Sequence, residues 1–218
     1  NFDWEFSPAL LLFTDPPDGY ASVSIIDMMY LEISANDVVS LTDLPLEQRT
    51  ALLVAPSMPA DGMNEYGLAI GMAAVPGTSI NETGYEPSKP TIRSIGMIRE
   101  VLDHARTTNE AVTLFEKYII DFGEGPPIHY LIADAGGEAV LIEIYQGELI
   151  VLPNEEHWHL ATNHLRCVAT GDGGCPRYNI LSKHLTKTNG KLSEKQAMRM
   201  LSDVAQEVVT QDAFLDET

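Results

Sequence analysis

The sequence predicts an α+β chain in which antiparallel sheets are covered by helical layers. Three observations carry that reading. Apolar runs of strand length are joined by tight reversals, Asp134-Ala135-Gly136-Gly137 and Gln146-Gly147. Segments with helical spacing come in pairs, once after residue 93 and once after residue 177. The order is therefore strands, helix pair, strands, helix pair, which is not the βαβ alternation that builds a parallel sheet.

Taken in order, Ala9–Thr14 (ALLLFT) is a strand closed by the turn formers Asp15-Pro16-Pro17-Asp18-Gly19. Ala21–Ile26 has strand character, and the pattern weakens into loop between Asn36 and Glu47. Ala51–Val54 (ALLV) reads as another short strand. The octet Asp61–Leu68, DGMNEYGL, carries glycines at 62 and 67 that suit a turn, and it feeds a buried strand over Leu68–Val75. Residues 76–92 hold Gly77, Gly84, Pro87 and Pro90 and read as a long loop, of the kind that is functional or mobile.

Ser94–Ala105 places Ile95, Ile98, Val101, Leu102 and Ala105 along one helical face. Thr107-x-x-Glu110 has the capping-box pattern and starts a second helix with Ala111, Leu114, Phe115 and Tyr118 inward. Strands return at His129–Ala133, Ala139–Tyr145, Glu148–Leu152 and His159–Thr162. A helix over Tyr178–Leu185 and a longer one, capped by Ser193-x-x-Gln196 and running through Val209, close the chain. Ala197, Met200, Leu201, Val204 and Val208 form its inward side.

With 218 residues and no internal repeat, one domain over 1–218 is the expected organisation. The net charge of −19 and isoelectric point near 4.4 offer a phosphate backbone no basic stripe, so nucleic acid is excluded as a partner. No apolar run approaches the roughly 18 residues of a membrane-spanning helix, so no membrane insertion is expected. The two cysteines, Cys167 and Cys175, bracket a glycine-rich loop that bends enough for a disulfide; two free thiols fit equally well. A bond would lean the protein towards an extracytoplasmic compartment. Asn1 is no initiator methionine and AFLDET stops without a closing element, so the chain reads as truncated at both ends.

Several polar residues stand where a strand begins or ends: Asp3, Asn64, Asn163 with His164, and Arg177 just after Cys175-Pro176. Each has an ordinary role, as a turn former, a strand-end Asx residue or a surface charge. His157 and His159 alternate as H-x-H, which puts both rings on one strand face, with His129 and His164 near. No carboxylate completes a ligand set, and no metal is expected. Neither a G-x-S-x-G string nor a Walker lysine is present.

As an ordered set, four stretches resemble the choloylglycine hydrolase and penicillin V acylase group of N-terminal-nucleophile (Ntn) hydrolases. They are NFDW at 1–4, DGMNEYGLAI at 61–70, ATNH at 161–164 and CPRYNIL at 175–181, with HYLIADAGGEAVLIE at 129–143 in support. The DGMNE-x-GL string is the most specific. The resemblance implies a four-layer αββα sandwich, two antiparallel sheets flanked by helices. It also implies linear-amide hydrolysis through a thioester on a processed N-terminal cysteine. The family places that cysteine and an arginine just before an Asn-x-Asp stretch, so both are expected upstream of Asn1. Cys167 and Cys175 follow the TN motif and do not match it.

On this resemblance Asp3 holds the nucleophile's amino group, Asn64 donates to the oxyanion, Asn163 positions, and Arg177 stabilises charge. His164 is a candidate for contact with substrate, whereas the resemblance implies no catalytic role for Glu65. No cofactor is implied. The implied substrate is a small N-acyl amide such as a conjugated bile salt or penicillin V, and the assembly a homo-oligomer. An acyltransferase using the same thioester and a non-catalytic binding relative are the alternatives.

Overall fold

The computed structural model describes residues 9–33, 43–75, 88–168 and 175–205. Asp3, most of the 76–92 loop and residues 206–209 lie outside the described residues; the closing helix, expected to run through Val209, ends at Ser202. In chain order the elements are β1 (Ala9–Thr14), β2 (Ser22–Asp27), α1 (Leu46–Ala51), β3 (Asp61–Asn64), β4 (Ala69–Ala74), β5 (Thr91–Arg93), α2 (Ser94–His104), α3 (Thr108–Lys117), β6 (Ile119–Asp121), β7 (Ile128–Ala133), β8 (Ala139–Tyr145), β9 (Glu148–Pro153), α4 (Pro176–Thr188) and α5 (Glu194–Ser202).

Seven strands form one antiparallel sheet in the order β1-β2-β3-β4-β7-β8-β9. The expected α+β class, with an antiparallel sheet and flanking helices, is what the chain adopts. Among the described residues the other strands are a parallel pair, β5 with β6, three residues each and too short to announce themselves in the sequence.

Period-2 alternation gives the large sheet two faces. One face carries Ile70, Tyr130, Ile132, Ile142 and Ile144 and packs on Met97, Ile98, Val101 and Leu102 of α2 and Ala111, Leu114 and Phe115 of α3. The Phe115 and Tyr130 rings meet edge to face, centroids 4.8 Å apart. The opposite face is read off the register. Leu11, Ile25, Asp61, Gly71 and Leu131 form one cross-strand row, and Phe13, Val23, Met63, Ala69 and Ala133 the next. A second, smaller core joins Ile26, Met28, Leu31, Ile33, Leu44 and Ala55.

Two expected strands are absent. Ala51–Val54 is helical: α1 ends at Ala51 and a 3-10 turn follows over Leu52–Ser57. Pro45 sets the start of α1 and Leu53 and Val54 face solvent, and a four-residue apolar run has too few positions to show a period. His159–Thr162 is irregular; it crosses the open face of the sheet instead of extending its edge. In the expected capping box of α3, Thr107 accepts from the Glu110 N–H at 3.2 Å, but the Glu110 carboxylate takes the Arg106 N–H at 2.6 Å. The box at Ser193 and Gln196 is complete.

The β7–β8 turn ties the sheet to the helices through Asp134. Its carboxylate accepts from the N–H and hydroxyl of Thr108, in the first turn of α3, and from the Gly136 and Glu138 N–H groups. Burial by itself would raise this carboxyl, but those donors outweigh it and hold Asp134 below its ordinary value of 3.8. A lowered folded-state value contributes stability above pH 3.8 that is lost as pH falls through it. Asp134→Ala is expected to cost roughly 1–2 kcal/mol at neutral pH, discounted for partial exposure, with the deficit shrinking in acid. Urea melts at pH 7 and pH 3 check both.

Candidate active site

The segment after β9 and the start of α4 build one wall of a cleft whose floor is the open face of the sheet. The cleft has a volume of about 1340 Å³ and is mostly apolar, with Ile25, Gly71, Ala73 and Leu131 among the floor residues. Asp61, His159, Asn163 and Arg177 add polar groups to its lining.

Asn163 and Arg177 meet there. Pro176 occupies the first turn of α4, where a fixed φ favours helix entry, and this sets Arg177 at the helix start. The Arg177 guanidinium donates to Asn163 Oδ1. Asn163 Nδ2 donates in turn to the Ala74 carbonyl at the end of β4, at 2.7 Å. The amide is thereby fixed from both ends, with a permanent positive charge beside it.

Around this pair, Thr162 Oγ1 lies 3.1 Å from His164 Nδ1 and 3.4 Å from Cys175 Sγ. The Arg166 guanidinium stacks 4.3 Å from the Tyr178 ring centre. His164 packs edge-on against the same ring, at 5.3 Å, and does not line the cleft. Burial pushes His159 below the ordinary imidazole value, helped by the Arg166 charge; its buried Nδ1 has no partner among the described residues. Burial also raises the Asp61 carboxyl. Neither His159 nor Asp61 was assigned to the site in the sequence. Their signal there is faint, because only the register puts Asp61 on the cleft face and only the path of an irregular segment brings His159 to it.

Asn64 does something other than the expected oxyanion donation. It is 4 % exposed, and its Nδ2 donates to the carbonyls of Leu102 at 3.0 Å and Ala105 at 2.7 Å. Its Oδ1 accepts from the Tyr66 and Leu68 N–H groups, both at 3.1 Å. Both amide hydrogens are committed, so none is left for an oxyanion. The octet itself is a hairpin in which Gly62 lies in β3, not in the turn. A Cβ at Gly62 would stand 2.7 Å from the Val23 carbonyl oxygen and 2.8 Å from Leu102 Cδ1. Gly67, at φ 78°, does make the turn. Glu65 accepts from the Ala21 N–H at the surface, and Arg106 stacks 4.2 Å from the Tyr66 ring centre.

The cysteines are free thiols, which corrects the disulfide alternative. Burial tends to raise Cys175, but the Thr162 hydroxyl, the main-chain N–H groups of Tyr178 and Arg177 and the Arg177 charge outweigh it and lower that thiol. Burial and the neighbouring Glu143 carboxylate push Cys167 up to about 12. Among the described residues no group of three or more His, Cys, Asp or Glu is placed to hold a metal. No helix among them is long and apolar enough to cross a membrane.

Asn64→Ala removes four hydrogen bonds from a buried site and is expected to cost roughly 2–4 kcal/mol in chemical denaturation. Wild-type stability with lost turnover would return Asn64 to the oxyanion role.

The fold has counterparts among known proteins. The profile of the family described as acyl-coenzyme A:6-aminopenicillanic acid acyl-transferase matches residues 53–214. A variant of the conjugated bile acid hydrolase of Clostridium perfringens superposes with a TM-score of 0.62 at 15% identity, over 94% of this chain and 73% of that one. A second variant of that hydrolase gives 0.63 at 16% identity, over 95% and 74%. The penicillin V acylase of Agrobacterium tumefaciens gives 0.58 at 16%, over 97% and 69%. A sequence search of curated proteins returned no match. At these identities the likeness is one of fold, and the fold is that of the Ntn hydrolases.

Proposed function

We propose that this chain, which belongs to the acyl-coenzyme A:6-aminopenicillanic acid acyl-transferase family, cleaves linear N-acyl amides in the cleft beside Asn163 and Arg177. The observation that carries the reading is the Arg177–Asn163–Ala74 hydrogen-bonded line at the wall of an apolar cleft. An apolar floor suits an acyl chain or ring system, and a fixed amide beside a guanidinium suits the charge that develops on an attacked carbonyl.

In this reading the nucleophile is an N-terminal cysteine supplied by sequence upstream of Asn1. Its sulfur adds to the amide carbon, and the thiol proton passes through the α-amino group to the departing amine as the C–N bond breaks. Water then cleaves the thioester, releasing the acid and restoring the thiol. Asp3 orients the amino group, and Asn163 and Arg177 steady the negative oxygen. Conjugated bile salts, penicillin V and other N-acyl amides are the candidate substrates. The family description favours a second outcome of the same thioester, transfer of the acyl group to an amine instead of to water.

The test is turnover of glycocholate, penicillin V and an N-acyl amino acid by full-length protein, with and without an added acceptor amine. Hydrolysis of at least one is expected, and capture by the amine would mark a transferase. Asn163→Ala and Arg177→Lys are each expected to lower kcat by about a hundredfold in a folded protein. If none of the three amides turns over while the terminal cysteine is processed, the reading fails.

A further inference from the structure

The wall of the cleft is irregular chain, and irregular chain does not hold an amide in place by itself. Beneath it lies a buried acid. Glu143, on β8, is fully buried, as is His129 on β7; the two flank the paired residues Tyr130 and Ile142 on adjacent strands. Ala73 of β4 pairs with His129, and the same register sets His129 opposite Glu143, so Ala73, His129 and Glu143 run in a row across three strands on the face opposite α2 and α3.

Glu143 Oε1 accepts from His129 Nδ1 at 2.9 Å and from the Arg166 N–H at 2.7 Å, and Oε2 accepts from the Cys167 N–H at 2.8 Å. Arg166 and Cys167 are three and four residues beyond Asn163, in the segment that the Ala74 carbonyl holds at its other end. We propose that Glu143 is the positioning residue of the cleft, its buried carboxylate anchoring the 163–167 segment and thereby the Asn163–Arg177 pair.

The chemistry requires a carboxylate at this place. An ionised acid only accepts, and the His129 ring and the Arg166 and Cys167 N–H groups all donate, so these three bonds are satisfied at once. Burial by itself would raise this acid, but the bond from His129 and those from the Arg166 and Cys167 main chain keep it below its ordinary value and therefore charged. An amide of the same shape turns one oxygen into a donor, which then faces another N–H. His129 Nε2, buried and without a partner among the described residues, leaves Glu143 as the contact that orients that ring. The Cys167 thiol, facing the same carboxylate, reports on its charge.

The catalytic consequence rests on the amide-cleaving reading, whereas the anchoring does not, and the experiment separates them. Full-length wild type, Glu143→Gln and Glu143→Asp are compared by hydrogen exchange over peptides covering 163–168, by alkylation of Cys167 with iodoacetamide, and by kcat and KM. Glu143→Gln is expected to exchange and alkylate faster, with kcat down about a hundredfold and KM changed much less. Glu143→Asp, which keeps the charge, is expected to fall between. Should wild type turn over no amide, the function fails while exchange and alkylation still decide the anchoring. A folded Glu143→Gln with wild-type exchange and alkylation overturns the proposal. Failure of both variants to fold also overturns it, because Glu143 would then determine the fold and not the cleft.

Discussion

The amide of Asn64 ties the end of α2 to the turn between β3 and β4, adding directed bonds to the apolar packing of that helix on the sheet. Its two donors take the carbonyls of Leu102 and Ala105, which the last turn of a helix leaves without partners, and its oxygen takes two N–H groups of the turn entering β4. A buried polar group costs free energy unless it is paired, so each of these bonds is needed by both sides. Because β3 and β4 are the central pair between β2 and β7, fixing α2 against their turn fixes the helical layer against the whole sheet. With one face closed in this way, the other is left to the cleft.

The parts of the fold that were legible in the sequence are those in which side-chain periodicity and turn chemistry agree. ALLLFT at 9–14 and AVLIEIY at 139–145 alternate against their partners and are bounded by turn formers, and both strands fall where the pattern puts them. Ile98, Val101 and Leu102 repeat at helical spacing and are buried on α2 as expected, whereas Met97 takes the inward place expected for Ile95, which lines the cleft instead. ALLV at 51–54 has no such agreement, since the short run is apolar whichever way the chain turns and two of its side chains meet solvent. The segment 159–162 misleads for another reason. Its residues have strand character, but they line the cleft without pairing to a strand, and the bond that holds the chain there, from Asn163 to the Ala74 carbonyl, is one that no local pattern encodes.

The cleft was legible in part, and the reason lies in what motif strings record. A string such as DGMNE marks residues that must be kept, without saying whether catalysis or folding keeps them. In this octet the buried polar group is bonded within the fold: Gly62 admits Leu102 and the Val23 carbonyl, and Asn64 closes the helix. The TNH and CPR stretches, 14 residues apart at Asn163 and Arg177, meet only through the path of the chain between them. Glu143 shows the limit most clearly. Within AVLIEIY it reads as one polar interruption of a strand, and nothing near it in sequence names Arg166 or Cys167 as its partners.

The two cysteines show how the same physics assigns opposite characters to one residue type. Cys175 stands at the start of a helix beside a guanidinium, where a thiolate is favoured. Cys167 shares its surroundings with a carboxylate, which disfavours a second negative charge. A thiol, an acid and an imidazole therefore gather at Cys167, Glu143 and His129 without forming a nucleophile and its base, because the acid sits between the other two. The imidazole that would have to take a proton from sulfur is turned to oxygen instead. The grouping is an anchor by its connectivity, whatever its composition suggests. The same distinction, between which groups are present and which atoms face each other, separates Asn64 from Asn163 at the two ends of β4.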